Sequence, residues 1–220
     1  MTVTNQAELE GLQAIGRIVA TTLQAMARAM EPGMTTRELD GIGRALLERA
    51  GAVPAPEDSY GFPGATCISV NEEIAHGVPG DRVIAAGDLV NIDVSASKDG
   101  FFADTGASFA VGAVAPAIER LCRDGRRAME VGIAQVGADR PLDGIGNAIG
   151  RFAAARGYTL IRNLASDVQV STGPTGTIIE MRKKARTRMF AFSRWARPRA
   201  MSSCGTVESR PMVSVFHRLL

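Results

Sequence analysis

The chain has 220 residues, of which 45% are apolar and 22% charged, with 25 basic and 23 acidic side chains. This is enough chain to bury a core in one large domain or two small ones, and the composition excludes a disordered tail protein, a collagen-like chain and a disulfide scaffold. The net charge of +2 conceals a division: residues 1–166 hold 15 basic and 20 acidic residues, whereas residues 167–220 hold 10 basic and 3 acidic, a change of sign that sets the two parts of the chain apart.

Leu12, Ile15, Ile18, Val19, Leu23, Met26 and Met30 recur at steps of three and four and predict an amphipathic helix over Leu9–Met30, stopped by Glu31-Pro32-Gly33. Thr35 or Thr36 caps a second helix carrying Leu39, Ile42, Leu46 and Leu47, with Glu38 near its first turn. Pro54, Pro56, Gly61, Pro63 and Gly64 mark residues 53–64 as a loop. Thr66–Val70 reads as a short strand. Leu89–Ser95 alternates, with Leu89, Asn91, Asp93 and Ser95 on one face and Val90, Ile92 and Val94 on the other. Lys98-Asp99-Gly100 is a turn signal before a strand over Phe101–Val111. Helical patterns follow at Pro116–Val131 and Pro141–Arg156, the second weakened by Gly144, Gly146 and Gly150. Tyr158–Leu164 reads as a strand. Residues 167–220 show no period of 3.6 or 2 over a long window. No apolar run approaches the ~18 residues of a membrane span. The first ten residues include Glu8 and Glu10 without the basic stretch of a secretory signal. An odd set of cysteines (Cys67, Cys122 and Cys204) predicts reduced thiols and a cytoplasmic location.

The hairpin around Asp99 brings two carboxylates to one face. If paired positions sum to 197, Asp93 stands directly opposite Asp104; if they sum to 199, the two are diagonal neighbours. Direct neighbours have Cβ atoms ~4.5–5.5 Å apart and diagonal ones ~7–8 Å. Two carboxylates at that range repel unless a cation lies between them, and a divalent metal or metal pair meets that need. A solvated aspartate or an arginine partner is the plainer alternative. His76, in the turn Ile74-Ala75-His76-Gly77-Val78-Pro79, is a packing or surface histidine on its own. Near a carboxylate site it can donate to a substrate carbonyl or developing oxyanion.

An ordered series of motifs resembles the type I methionine aminopeptidases. It runs Gly61-Phe62-Pro63, Cys67-Ile68-Ser69-Val70-Asn71-Glu72-Glu73, His76-Gly77-Val78-Pro79, Gly87-Asp88-Leu89-Val90-Asn91-Ile92-Asp93-Val94, Ala103-Asp104-Thr105 and Phe109-Ala110-Val111-Gly112. Met34–Asp40 and Tyr158–Leu164 also fit. The resemblance spans residues 9–166. It implies an α/β pita-bread fold, a curved antiparallel sheet with flanking helices around a two-metal site, here with an incomplete second half. It implies removal of the initiator methionine from nascent proteins by attack of a metal-bridging hydroxide on the first peptide carbonyl. Asp93 matches the aspartate that chelates one metal, Asp104 the one that bridges both, and His76 the catalytic histidine that contacts substrate. Phe62 and Cys67 match positions lining the methionine pocket, and Ser59 falls where that pocket often has an aromatic residue. The cofactors implied are two divalent ions (Mn, Fe, Co or Zn). The partners implied are the N-terminal Met of nascent polypeptides and the ribosome, with the chain acting as a monomer away from membranes.

Beyond residue 166 the family pattern breaks. Asp167 stands where the family has a metal-ligating histidine and Pro174 where it has a second histidine. Neither of the family's two later glutamate motifs is recognisable around Glu180 or Glu208. The expected organisation is therefore a methionine aminopeptidase-like domain over 1–166 and a basic tail over 167–220. The abruptness points to a discontinuity of the reading frame near codon 166, which translation of the other two frames would test. Weak metal binding and low activity follow. Two other readings stand beside this one: a pita-bread scaffold without catalysis, and a ribosome- or RNA-binding protein using Arg182–Arg188 with Phe190, Phe192 and Trp195.

Overall fold

Asn5 opens the first helix, its side chain accepting the Glu8 N–H at 2.9 Å. The computed structural model describes residues 3–73, 75–137 and 140–160, together with the backbone of strands at 165–166, 168–173, 176–181, 187–188, 191–193 and 213–214. Helix α1 spans Gln6–Ala29 and buries Ile15, Val19, Leu23 and Met26, the stripe its periodicity predicts. Helix α2 spans Thr36–Arg49 behind a full capping box. Glu38 N–H donates to Thr35 Oγ1 at 3.2 Å, and Thr35 N–H donates to Glu38 Oε2 at 2.7 Å.

The expected loop at 53–64 is corrected: Val53–Pro54 forms strand β1 and Ala55–Tyr60 forms helix α3. The prolines that suggested a breaker lie at the start of this short helix. Pro54 is its N-cap and Pro56 sits in its first turn, where no N–H is required. Gly61, at φ 62°, closes it in the left-handed conformation.

Strands β2 (Cys67–Val70), β3 (Leu89–Lys98) and β4 (Phe101–Ala110) make the main sheet with β1. All pairings are antiparallel; β4 runs along one edge of β3, while β2 and β1 share the other. The β3–β4 connection is the two-residue turn Asp99-Gly100, with φ 52° and 82°, the paired positive values of a type I′ hairpin. One face of the sheet presents Ile68, Val70, Val90, Ile92, Val94, Ala96 and Ala107, all buried in one cluster with the apolar stripes of α1 and α2. The other face carries Cys67, Ser69, Asn91, Asp93, Ser95 and Asp104, as the register requires.

Helices α4 (Pro116–Ile133) and α5 (Asp143–Ala155) form a second cluster through Leu121, Ala128, Ile149 and Ala153, joined by Leu89 and Tyr158. Gly132 permits this approach, since a Cβ there would lie 2.7 Å from Ile149 Cδ1. Strand β5 is only Thr159–Leu160; residues 161–164 of the expected strand lie outside the described residues. No long-window period is expected after residue 166, yet short strands are present from residue 165 onward. The short strands β6 (Ala165–Ser166), β7 (Val168–Gly173), β8 (Gly176–Met181), β9 (Thr187–Arg188), β10 (Ala191–Ser193) and β11 (Val213–Ser214) follow. β7 and β8 form an antiparallel hairpin. The alternation of Val168, Val170 and Thr172 is confined to one six-residue strand, too short to register in a long window. Among the described residues no helix is long and apolar enough to cross a membrane.

Candidate metal centre

The hairpin settles in the second of the two possible registers. Ser95 pairs with Asp104 and Asp93 with Gly106, so the two aspartates are diagonal neighbours on the polar face. Gly106 leaves room beside Asp93; a Cβ there would lie 3.5 Å from that of Asp93. On the other side of β3, Cys67 pairs directly with Asp93. One row across the sheet thus reads Cys67, Asp93, Gly106, with Asp104 one diagonal step away.

Asp93 is half-buried, and its Oδ1 is closed to water without a hydrogen-bond partner. A buried, unpartnered carboxylate oxygen is costly unless something charged meets it. The Asp93 carboxyl is accordingly pushed well above the ordinary aspartate value, first by burial, then by the charge of Asp104 and a hydrogen bond between the two carboxyls. Asp104 is also pushed up by its enclosure, against the opposing pulls of the bond to Asp93 and the charge of His76. Its side chain is nonetheless exposed to solvent. Burial, with the nearby carboxylates adding to it, likewise pushes the Cys67 thiol up, so it stays neutral beside Asp93.

His76 lies between β2 and β3 with its side chain exposed and its backbone at φ 55°, a conformation uncommon outside glycine. Phe62 is half-buried just after α3, and Ser59 is exposed on α3. Asp167 lies outside the described residues. The structure therefore brings Asp93, Asp104 and Cys67 together, with His76 close enough for its charge to act on Asp104.

Asp40 is a residue that sequence reasoning passed over as functional scaffolding. Buried on α2, it accepts the N–H of Ala65 at 3.2 Å and both the N–H and the hydroxyl of Thr66 at 2.7 Å, fixing the chain as it enters β2. Its signal was present: a charged residue at position 40 falls on the same helical stripe as Thr36, Leu39, Gly43 and Leu47.

An acidic pair with an orphaned, buried oxygen fits the hard, oxygen-seeking ligation of a divalent metal. Among the described residues, however, no group of three or more His, Cys, Asp or Glu side chains is placed to hold one. The described residues bring two carboxylates to this face, Asp93 and Asp104.

The model of metallopeptidase family M24 matches residues 10–189. "Methionine aminopeptidase 2" of Bacillus subtilis is 49% identical over 165 residues, which are 74% of this chain and 66% of that relative. The aligned segment therefore spans slightly less than two thirds of the relative's length. The crystal structure of methionine aminopeptidase from Rickettsia prowazekii superposes with a TM-score of 0.76 at 26% identity, covering 97% of this chain and 90% of that one. That of methionine aminopeptidase from Thermotoga maritima gives a TM-score of 0.79 at 22% identity, covering 97% and 92%.

Proposed function

Because the chain belongs to metallopeptidase family M24 and has its pita-bread fold, we propose that its activity is the metal-dependent removal of N-terminal methionine from nascent proteins in the cytoplasm. The observation that carries this reading is the diagonal placement of Asp93 and Asp104 on one face of β3–β4, with Asp93 Oδ1 buried and unpartnered. The relatives named methionine aminopeptidase support the substrate.

Asp93 and Asp104 would hold the divalent ions, proposed as two in number and drawn from Mn, Fe, Co and Zn. Such ions supply Lewis acidity and a water made nucleophilic near neutral pH. A cation held between them would offset the burial and the mutual repulsion that raise Asp93. His76, on its exposed turn, is proposed to donate to the substrate carbonyl oxygen as charge develops there. Cys67 and Phe62 are proposed to wall the methionine side chain, with Ser59 at its outer edge. Cys67 suits that task because its thiol stays neutral beside the carboxylates. Asp167 is proposed as a further ligand, replacing the family histidine.

The domain reading is likewise a proposal: an M24 portion over 1–166, and a basic tail over 167–220 that arises from a discontinuity in the reading frame. The count of 10 basic against 3 acidic residues after 166 supports it. Recovery of a Gly-His-Gly turn and two glutamate motifs in another frame is the expected result, and their absence from both frames overturns it.

The enzymatic test is methionine release from a Met-Ala-Ser peptide with added Mn or Co, comparing the chain with Asp104→Ala. Slow release by the parent and none by the variant is expected. A folded parent that releases nothing overturns activity for this chain.

A further inference from the structure

We propose that Ser69 is a positioning residue for His76, acting through the backbone of Gly77. The importance given to His76 rests on the proposed function, but the geometry does not. Ser69 lies in β2, 2% exposed, on the face that carries Cys67 and Asp93. Its Oγ accepts the Gly77 N–H at 3.0 Å. The adjacent Ile68 N–H donates to Gly77 O at 2.9 Å. Gly77 is thus held at both its donor and its acceptor by consecutive residues of one strand.

The approach is close enough to require glycine, since a Cβ on Gly77 would fall 2.1 Å from the Ile68 carbonyl oxygen. The residue before it, His76, has φ 55°. A non-glycine residue persists there only where its surroundings over-determine it. The two bonds to Gly77 provide that constraint, one of them through a buried side-chain oxygen. His76 can then present an exposed imidazole from an anchored backbone.

Ser69 is itself placed within a polar row. It pairs with Asn91 on β3, and Asn91 Nδ2 donates to Ser108 Oγ on β4 at 3.1 Å. This row lies beside the one formed by Cys67, Asp93 and Gly106. The seryl oxygen therefore ties the His76 turn to the strands that carry the two aspartates. Loss of that oxygen leaves a buried N–H unpaired and removes one of the two restraints on the turn.

The test uses the full chain, whose only histidines are His76 and His217. Histidine-labelled protein then gives two imidazole signals in NMR, assigned with His217→Gln. In Ser69→Ala, the Gly77 amide is expected to exchange with deuterated solvent about tenfold faster, the effect of losing one hydrogen bond. The His76 imidazole signal moves, while the Val90 and Ile92 amides keep their exchange rates. Ser69→Thr, which retains the oxygen, restores both readouts. Unchanged Gly77 exchange overturns the proposal, as does equal acceleration of all amides, which marks general destabilisation. If the alanine variant does not fold, Ser69→Cys offers a weaker acceptor of similar shape, and unaltered Gly77 exchange in it is equally decisive. Methionine release in the same samples keeps the two readings apart. A folded, inactive parent overturns the proposed function, while the NMR result still decides whether Ser69 holds His76. In an active parent, Ser69→Ala lowers kcat more than it raises KM, and an unchanged kcat overturns the positioning role.

Discussion

Asp93 holds its proton to higher pH than a free carboxyl, because burial and the Asp104 charge both disfavour its anion. A folded-state value raised above the unfolded one means that the native protein binds more protons between the two. The associated stability is complete below the ordinary carboxylate value, about 4, and is lost as pH rises through the raised folded value. In chelator, Asp93→Asn is therefore expected to melt higher than the parent at about pH 7, with the difference shrinking toward about pH 4. Thermal melts across that range check it, and a variant that melts lower at neutral pH contradicts it. Added Mn should raise the parent's melting temperature and leave that of the variant nearly unmoved. Gly77→Ala is expected to destabilise strongly, because its Cβ meets backbone rather than a flexible side chain. The candidate residues Asp93, Asp104 and His76 were legible as residue types in ordered motifs. The sealed oxygen of Asp93 and the left-handed backbone of His76 were not, because each depends on neighbours from other strands.

Among the elements, α2 is the clearest case of local chemistry setting a boundary. Both hydrogen bonds of its capping box join residues three apart, Thr35 and Glu38. Thr35→Ala should lower stability by about 1 kcal/mol, read by urea denaturation. Helix α3 shows the opposite: the same Pro and Gly residues that punctuate a loop also suit the two ends of a one-and-a-half-turn helix, and composition does not choose between them. The junction of α4 with β5 depends on contacts distant in sequence. The Tyr158 hydroxyl donates to Asp124 Oδ2 at 2.6 Å, and burial followed by that carboxylate pushes the phenol up to about 12. The stability linked to this phenol is present below its unfolded value, about 10, and is lost as pH rises through the folded one. An ultraviolet titration should show a phenol transition near 12 that is missing in Tyr158→Phe. Its persistence in the variant would refute the assignment.

Across the whole molecule, the apolar stripes of α1 and α2 and the apolar face of β2, β3 and β4 close one core. Leu23, fully buried at its centre, should cost about 2–5 kcal/mol when changed to Ala. That core supports the polar face opposite, where the two aspartates meet. Because the described residues place the two aspartates together but no group of three or more His, Cys, Asp or Glu side chains around a metal position, calorimetric titration with Mn is expected to show weak binding. Tight uptake of two ions per chain would mean that residues after 160 complete the site.

The helical stripes, the in-and-out alternation of β3, the Asp-Gly turn and the order of the motifs are all legible in the amino-acid sequence alone, since each is a relation between residues a few positions apart. The choice between direct and diagonal aspartates, the seating of Gly77 against β2 and the buried carboxylate of Asp40 are not. Register, burial and hydrogen-bond partners are set where segments far apart in sequence pack together, and no local period records which of two possible pairings leaves the fewest polar groups unmet.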